Sequence, residues 1–406
     1  MDVVRLLRGL PTEVRALIGV SFMVALGFGL VSPALPLFAR QFGVGKAAAG
    51  AVISVFAFTR LLAAPFVGQL VNKVGERVVL ATGIGVVAVS SALAGLAQSY
   101  WQLIVLRGAG GAGSIMFSVG AASLLVRVTP NHLRGRAQGA WAGAFLLGLI
   151  AGPAVGTVAT WSLRAPFFIY AGTLVVAGAL GLGALRKSDL ATKQAGFDAP
   201  PMSLRTALRN RAYLAVLVAS FAGEWAVVGA RAAIVPQYIT DHLKLSQGWV
   251  YGAFLVVSLV SGALLFPFGR LADTVGRRPV IIGGLIMGAF GFALLPIAPV
   301  VGGLMAAMVF IGVAGAADSV APGAVMGDVV GGRGGTVVAA FQMAGDLGTT
   351  IGPIVAGIIA ESGGYSAAFL VSAGVCFVPV LAVLAAPETL RRESEPERTV
   401  AAPDPV

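Results

Sequence analysis

The chain has 406 residues, of which 57% are hydrophobic and only 11% are charged, and its mean hydropathy is +0.91. A water-soluble domain carries roughly 25% charged residues, and soluble packing cannot hide so much apolar surface, so a soluble globular protein is excluded. The net charge of +11 would suit nucleic-acid binding, but the positions of the positive charges, described below, exclude that class. With Cys376 as the single cysteine, neither a disulfide nor a cysteine-based metal site can form.

Long apolar runs between polar breaks predict twelve membrane-spanning helices, because a helix needs about twenty residues to cross a bilayer. The first six predicted helices lie near residues 16–39, 47–71, 78–98, 101–126, 137–159 and 165–185. The other six lie near residues 213–236, 249–270, 280–299, 302–326, 336–360 and 366–386. Helix 1 follows Arg5, Arg8 and Arg15, as in a signal peptide, but the many later spans identify it as a retained helix. The predicted fold class is an all-α membrane protein.

One short sequence occurs twice, each time between the second and third predicted helix of a half. GQLVNKVGERVVL begins at Gly68 and GRLADTVGRRPVI begins at Gly269, which is 269 − 68 = 201 residues later. A fixed internal period shows that a structural unit has been copied, so we predict two six-helix halves. The predicted boundaries are 1–185 for the N-terminal bundle, 186–212 for a cytoplasmic linker, 213–387 for the C-terminal bundle and 388–406 for a tail.

The linker and the tail are the polar segments. In the linker, MSLRTALRNR places Leu204, Ala207 and Leu208 on one helical face opposite arginines, which predicts a short interfacial helix. The tail is rich in Pro, Glu and Arg, which predicts disorder.

Positive charges lie almost entirely on one side of the predicted membrane. Of the 28 Lys and Arg residues, three fall within spans and four lie in outside loops, which leaves 28 − 3 − 4 = 21 on the side of both termini. The four outside are Arg40, Lys46, Arg164 and Lys244. The positive-inside rule therefore predicts a multi-pass protein of the inner cell membrane with both termini in the cytoplasm. The basic composition reflects topology.

Each copy of the repeated loop carries glycines, a carboxylate or amide, and basic residues. We predict a conformational latch that joins helix ends in one conformation and releases them in another, with Asp273 capping a neighbouring helix N-terminus. The latch residues are Gly68, Asn72, Gly75 and Arg77 in the first copy, and Gly269, Asp273, Gly276, Arg277 and Arg278 in the second. A basic topogenic loop with a glycine turn is the simpler interpretation.

The second loop copy resembles the signature of the major facilitator superfamily, Gly-x-Leu-Ala-Asp-x-x-Gly-Arg-(Arg/Lys), and the likeness runs from about Ile18 to about Ala386. The first copy departs from it, with Asn72 in place of the aspartate. LRGAGGAG, around Arg107, is similar to the family's helix 4 motif. The resemblance implies twelve helices in two pseudo-symmetric six-helix bundles and transport by alternating access.

GLIAGPAVG in helix 5 resembles the motif of the drug and metabolite antiporters, and GTTIGPIVAG is its counterpart in helix 11. Gly148, Gly152 and Gly156 are spaced four residues apart, which lets a partner helix approach closely. Pro153 can bend the helix. Helix packing alone also explains this pattern. The corresponding residues of helix 11 are Gly352 and Pro353.

Six ionisable residues fall within predicted spans, where charge is costly and usually marks a pathway or a pair. They are Arg60, Arg107, Glu224, Arg231, Asp318 and Asp346. By resemblance, Arg60 in helix 2 and Asp346 in helix 11 face each other across the halves. Two interpretations stay open: a structural salt bridge, and a proton switch in which protonation of Asp346 frees Arg60.

The remaining charges also have two interpretations each. Glu224 beside Trp225 predicts a cation or proton site, and an ion pair with Arg231 is the alternative. AADSVAPGAVMGDVV, which contains Asp318, resembles helix 10 of the vesicular amine transporters. Arg107 binds a substrate anion or steers the protonation of a nearby acid, or it is tied to backbone carbonyls or a facing acid. Trp141 and Gln342 are assigned to the cavity or the interface.

Together these features predict a proton-coupled secondary active transporter that exports hydrophobic drugs or metabolites, with Asp346, Glu224 and Asp318 as the proton-coupling residues. No phosphate-binding loop, metal cluster or nucleophile–base pair occurs, so we expect neither an enzyme nor a cofactor beyond the proton gradient. The expected partners are an amphipathic small molecule, protons and the lipid bilayer, without nucleic acid, and the expected state is a monomer. The alternatives are an importer or facilitator of a small polar or anionic solute, and a lipid flippase or membrane sensor.

Overall fold

A computed structural model describes residues 10–129, 134–158, 161–185, 203–330 and 335–390, which form helices and no strand. The twelve long helices of the described part are α1 (Thr12–Val31), α2 (Lys46–Val74), α3 (Glu76–Leu96), α4 (Tyr100–Val128), α5 (Arg134–Val158), α6 (Ala165–Leu185), α7 (Arg211–His242), α8 (Gln247–Thr274), α9 (Arg277–Ile297), α10 (Val301–Val330), α11 (Gly335–Ser362) and α12 (Gly364–Ala385). Eleven are long and apolar enough to span a bilayer, and α6 contributes a shorter apolar stretch, Ala165–Gly181. The protein is an all-α, multi-pass membrane protein.

The first predicted helix is two helices in the structure, which corrects the prediction of one helix over 16–39. α1 ends at Val31, and a separate helix occupies Leu35–Arg40. Pro33 lies in the break and has no N–H to continue the hydrogen-bond ladder. A turn closed by Ala34 N donating to Val31 O at 3.0 Å replaces it.

Helix α7 is longer than predicted and contains two π-helical segments, Glu224–Ala230 and Tyr238–His242. The sequence predicted an end at Pro236, whereas the helix continues through this proline. π segments are rare and occur most often at functional sites. The first of the two carries Glu224.

Each half follows one packing plan. In the N-terminal half α1 packs against α5 and α6, α3 packs against α4 and α6, and α2 packs against α4. In the C-terminal half α7 packs against α11 and α12, α9 against α10 and α12, and α8 against α10. Adding six to each helix number converts the first set of contacts into the second, as the copied loop predicts. The exact domain boundaries stay predictions, and residues 186–202 and 391–406 lie outside the described residues.

Two seams join the halves: the α2–α11 seam and the α5–α8 seam. In the α2–α11 seam the helices touch through backbone, because a Cβ on Gly50 would lie 2.8 Å from the carbonyl carbon of Pro353. In the α5–α8 seam the contacts are side chains, since Gly156 faces the ring of Tyr251 and Gly262 faces Ile150. The halves therefore approach more closely along α2 and α11.

The α2–α11 seam is closed at one end and open at the other. We name the ends after Lys46, where α2 begins, and Arg277, where α9 begins. Gly50 and Gly68 share one face of α2, because eighteen residues make about five helical turns. Gly50 packs on Pro353, whereas a Cβ on Gly68 would meet no atom within 4 Å. The seam is therefore packed around Gly50 and leaves open space beside Gly68, toward the Arg277 end, and we call this open part of the seam the cleft.

Candidate functional site

The closed part of the α2–α11 seam ends at an ion pair. Arg60 Nε lies 3.8 Å from Asp346 Oδ1, and Arg60 Nη1 donates a hydrogen bond to Ser114 Oγ at 2.8 Å. The side chains of Arg60 and Asp346 are 24% and 26% exposed, respectively. The structure thus brings together the two charges that the family resemblance placed face to face, at the seam between the halves.

Glu224 lies next to this pair, on the π segment of α7 that packs against α11. Thr349 Oγ1 donates to Glu224 Oε2 at 3.3 Å, and Glu224 interacts electrostatically with Asp346 and Arg60. Trp225 is buried against Phe221 of its own helix, with ring centroids 5.9 Å apart. Three of the predicted site residues therefore form one charged cluster between the halves.

The predicted alternative of a Glu224–Arg231 ion pair is wrong. Arg231 Nε donates to Val227 O at 2.6 Å, and its guanidinium lies 4.6 Å from the ring centroid of Phe254. Seven residues apart on an α-helix, Glu224 and Arg231 would share a face. The wider turn of the intervening π segment rotates one away from the other.

Asp318 faces the interior of the C-terminal half. Its carboxylate lies against Gly223 and lines a small cavity of about 20 Å³ between α7, α9, α10 and α12. The cavity wall also includes Cys376 and Leu285 and is otherwise apolar. Within the described part of the chain, no hydrogen bond or ion pair reaches the Asp318 carboxylate.

Arg107 lies in the N-terminal half, away from the acids. It is 4% exposed, its guanidinium lies 4.4 Å from the ring centroid of Phe56, and its Nε has no hydrogen-bond partner among the described residues. Trp141 is partly buried, and its backbone carbonyl accepts from Ser21 Oγ at 3.3 Å. Gln342 is exposed on α11. None of these three joins the Arg60–Asp346–Glu224 cluster.

The antiporter-type motif packs helices together inside each half. A Cβ on Gly152 would lie 2.6 Å from Leu30 N of α1, and one on Gly352 would lie 3.1 Å from Trp225 O of α7. Gly148 also faces α1, and Pro153 and Pro353 are buried within their helices. Gly156 differs, because it faces Tyr251 across the α5–α8 seam. The predicted close approach of helices is therefore present. Gly148 and Gly152 contact α1 within the same half, and Gly156 contacts α8 of the other half.

A polar cluster closes the cleft at the Lys46 end. Arg40 Nη2 lies 3.5 Å from Asp241 Oδ2, and Tyr365 donates to the same oxygen at 3.0 Å. Lys46 Nζ donates to Ala360 O at 3.0 Å and lies 4.1 Å from the Tyr365 ring centroid. The Glu361 carboxylate accepts from the backbone of α2 at 3.2 Å.

We call these residues, Arg40, Lys46, Asp241, Glu361 and Tyr365, the Lys46-end cluster. Arg40 and Lys46 belong to the N-terminal half and the other three to the C-terminal half. Arg40 and Lys46 were predicted only as charges of outside loops, and their role in joining the halves was not predicted. The sequence signal for this cluster was the opposite charge of Lys46, at the start of α2, and Glu361, at the end of α11.

Comparison with known proteins agrees with the fold. The family model described as Major Facilitator Superfamily matches residues 17–261 and 227–405. The chain belongs to the Major Facilitator Superfamily. Its relatives include "Multidrug resistance protein MdtG" of Klebsiella pneumoniae (strain 342), 28% identical over 396 residues, which cover 93% of this chain and 94% of the relative.

Two further comparisons show a second relative of this chain and a solved structure with the same fold. The protein of the same name from Salmonella choleraesuis (strain SC-B67) is 27% identical over 372 residues, which cover 87% of this chain and 90% of the relative. A crystal structure of a POT family transporter in complex with 5-aminolevulinic acid aligns with a TM-score of 0.77 at 10% identity. It covers 93% of this chain and 96% of that one, and it shows the fold alone. The protein is a Major Facilitator Superfamily transporter.

The superfamily loop signature forms an ordered cluster in the C-terminal half. The Arg277 side chain pairs with Asp273, and Arg277 Nε lies 3.3 Å from Asp328 Oδ2 at the end of α10. The Arg278 guanidinium donates to the backbone carbonyl of Leu384 in α12. This cluster joins α8, α9, α10 and α12, all within one half.

The cap on α9 comes from Glu388, which corrects the prediction that Asp273 caps a helix. Glu388 Oε1 accepts from Arg277 N at 2.9 Å, and Oε2 accepts from Arg278 N at 3.0 Å. Partial burial raises the pKa of Glu388, but these donors and the N–H groups of Thr389 and Leu390 outweigh it, so the pKa lies below its ordinary value. The predicted tail therefore begins with an ordered helix cap.

The first copy of the loop has the same glycine turn as the second. Gly75 has φ +85° and its counterpart Gly276 has φ +140°, so both positions favour glycine. Arg77 stands at the start of α3, and the side chain of Asn72 lies outside the described residues. A Cβ on Gly269 would have one contact, Val320 at 3.9 Å. The predicted release of either latch is not tested by one conformation.

Proposed function

We propose that this protein is a proton-coupled secondary transporter that exports amphipathic drugs or metabolites by alternating access. The observation that carries the proposal is the Arg60–Asp346 ion pair at the point where the closed α2–α11 seam meets the cleft. A carboxylate in this position is reached from the cleft and also contributes to the seam. The names of the relatives, multidrug resistance proteins, support export of drugs.

In the proposed cycle, charge at Asp346 decides how firmly the seam holds. While Asp346 is ionised, it attracts Arg60 and the Lys46 end stays closed. When Asp346 takes up a proton, this attraction is lost, while Arg60 keeps its hydrogen bond to Ser114 and its electrostatic interaction with Glu224. The halves can then separate along α2 and α11 and open the Lys46 end, because a bound proton changes the relative free energy of the two conformations.

We further propose that the Arg277 end faces the cytoplasm of a cell with an inner membrane, as the positive-inside rule indicates. The structure would then be open to the cytoplasm, the side from which an exporter takes its substrate. The Arg60–Asp346 pair places charges of both signs at the seam of a chain that is 57% hydrophobic, which suits an amphipathic molecule. We expect a monomer that needs no cofactor and catalyses no covalent reaction.

Asp346→Asn tests this proposal because it keeps the size of the side chain and removes its titration. In proteoliposomes with a cationic fluorescent dye as the probe, the wild type should accumulate dye when the lumen is acidic. The variant should lose this accumulation and keep gradient-free exchange of dye across the membrane. Asp346→Glu is the matched control and should retain proton-driven transport. Full proton-driven accumulation by Asp346→Asn would contradict the proposal.

The direction of transport needs a separate measurement. Everted membrane vesicles energised with an inside-acid gradient should take up substrate if the protein exports. Accumulation only in right-side-out vesicles with an inward proton gradient would assign import instead.

A further inference from the structure

The three intramembrane acids form a series that leads from the seam into the C-terminal half. The second and third acids, Glu224 and Asp318, each lie against the glycine that immediately precedes the previous acid of the series in the chain. A Cβ on Gly345, which precedes Asp346, would lie 3.0 Å from Glu224 Cγ. A Cβ on Gly223, which precedes Glu224, would lie 2.6 Å from Asp318 Cγ. The two glycines are therefore the places where α11, α7 and α10 come close enough to bring their acids together.

The surroundings of the acids change along this series. Asp346 faces Arg60 of α2, and its side chain is partly exposed. Glu224 faces the hydroxyl of Thr349 and interacts electrostatically with Asp346, Arg60 and Asp318. Arg60, the positive partner, faces the first acid of the series, and no ion pair among the described residues reaches the last.

At the inner end, the titratable groups around Asp318 are Glu224 from α7 and Cys376 from α12. The face that α9 contributes is Ile281, Gly284 and Leu285, which carry no charge. The small cavity beside Asp318 has room for about one water molecule. The Asp318 carboxylate approaches Glu224 along α7, at Gly223, and interacts with it electrostatically.

We propose that Asp318 is an internal proton site that exchanges protons with Asp346 through Glu224. In the first step a proton leaves the Asp346 carboxyl group and joins the Glu224 carboxylate. In the second step it leaves Glu224 and joins the Asp318 carboxylate. No other bond changes, and one negative charge moves in the opposite direction, from Asp318 to Asp346.

This inference deepens the proposed function and rests on it. A proton on Asp318 neutralises the acid that lacks a partner, and it leaves Asp346 ionised beside Arg60. The seam can thus stay closed while the protein carries a proton in its interior. Asp346 alone could not do this, because in the proposed cycle its protonation releases Arg60.

Asp318→Asn removes the inner site and leaves the Arg60–Asp346 pair in place. We would measure the protons and the dye molecules moved per cycle in the same proteoliposomes, with a pH indicator in the lumen. The variant should move one proton fewer per dye molecule, and gradient-free dye exchange should persist. Cys376→Ala is the matched control, because it alters the same cavity without removing an acid, and its proton count should equal that of the wild type.

Gly223→Ala gives an independent test that removes no acid. Its methyl group would enter the space that the Asp318 carboxylate occupies beside α7, so we expect the same loss of one proton per dye molecule. Infrared difference spectra provide a readout that structural damage alone does not produce. The protonated-carboxyl band of the wild type should lose one component in Asp318→Asn and regain it in Asp318→Glu.

The outcomes separate this inference from the proposed function. If the wild type moves dye without protons, the proposed function fails. If the wild type moves protons and both Asp318→Asn and Gly223→Ala keep its proton count, the internal site alone is overturned. Should Asp318→Asn fail to fold, a wild-type infrared spectrum without any protonated buried carboxyl band would overturn it.

Discussion

The two seams between the halves are equivalent by pseudo-symmetry but differ in chemistry. The α2–α11 seam contains an ion pair, a backbone-to-backbone approach at Gly50 and the Lys46-end cluster. The α5–α8 seam contains Gly156 against the Tyr251 ring and Gly262 against Ile150. One scaffold thus has a seam that responds to charge and another that depends on packing.

The two halves also differ in the charges that they carry within their membrane spans. Apart from Arg231, the intramembrane arginines belong to the N-terminal half, and all three intramembrane acids belong to the C-terminal half. A proton that binds an acid therefore changes the attraction between the halves through the α2–α11 seam. The α5–α8 seam has no ion pair in the described residues, so protonation should leave its contacts unchanged.

Among the changes considered for the α2–α11 seam, removal of one member of the ion pair should have the largest effect. Arg60→Ala leaves Asp346 without its positive partner, which we expect to destabilise the protein by about 1–3 kcal/mol and to abolish proton-driven transport. Arg60→Ala combined with Asp346→Asn should recover part of the lost thermal stability, because no unpaired charge remains. Thermal unfolding in detergent measures the stability of the single and the double variant.

A double-mutant cycle supplies the control for this pair. If the two changes in stability simply add, Arg60 and Asp346 do not interact and the charged seam loses its central contact.

Adding one methyl group to each seam should sharpen the contrast between backbone and side-chain packing. Gly50→Ala places its Cβ against the Pro353 backbone, which cannot move aside, so we expect a loss of about 1–3 kcal/mol. Gly156→Ala meets the Tyr251 ring, which can rotate, and should cost less. Unfolding temperatures of the two variants give the comparison, and equal losses would contradict it.

The Lys46-end cluster should contribute less, because its charges are partly exposed. Glu361→Gln or Lys46→Ala should weaken closure by about 0.2–1 kcal/mol and raise the population that is open at this end. A thiol reporter, Ala360→Cys in a Cys376→Ser background, should then react faster with a membrane-impermeant reagent. Ala360 is buried in the structure, so we expect a faster reaction when the seam separates.

Two controls accompany this measurement. Lys244→Ala removes a charge at the same end outside the cluster and should leave the reaction rate unchanged. High salt should raise the rate in the wild type, because it screens exposed charges. A rate that does not respond to Glu361→Gln, Lys46→Ala or salt would show that packing alone closes this end.

The smallest expected effect concerns the Glu388 cap. The pKa of Glu388 lies below its ordinary value, so its contribution to stability is present above about pH 4.3 and is lost as pH falls through the lowered pKa. Glu388→Gln should lower stability by about 0.3–1 kcal/mol at neutral pH. Below the lowered pKa the two proteins should become equal in stability, which thermal unfolding at several pH values would show. A constant difference down to the lowest pH would contradict the assignment of the cap.

Much of the fold could be predicted because hydropathy and loop charge are local properties. The twelve spans, the copied loop and the positive-inside pattern follow from residues that lie next to each other in the chain. The pairing of Arg60 with Asp346 was also predicted, but through resemblance to a family, since nothing local relates residues 60 and 346. The break at Pro33 was missed because the apolar run continues through it.

By itself the sequence determined a polytopic helical membrane protein with two copied halves and six charges inside its spans. Only the tertiary structure decided which charges meet. The π segment turns Arg231 away from Glu224, Gly223 admits the Asp318 carboxylate, and Glu388 caps a helix more than a hundred residues earlier in the chain. The physical reason is that a side chain's partner depends on the rotation and separation of packed helices. A change of one residue per turn alters that rotation without altering hydropathy.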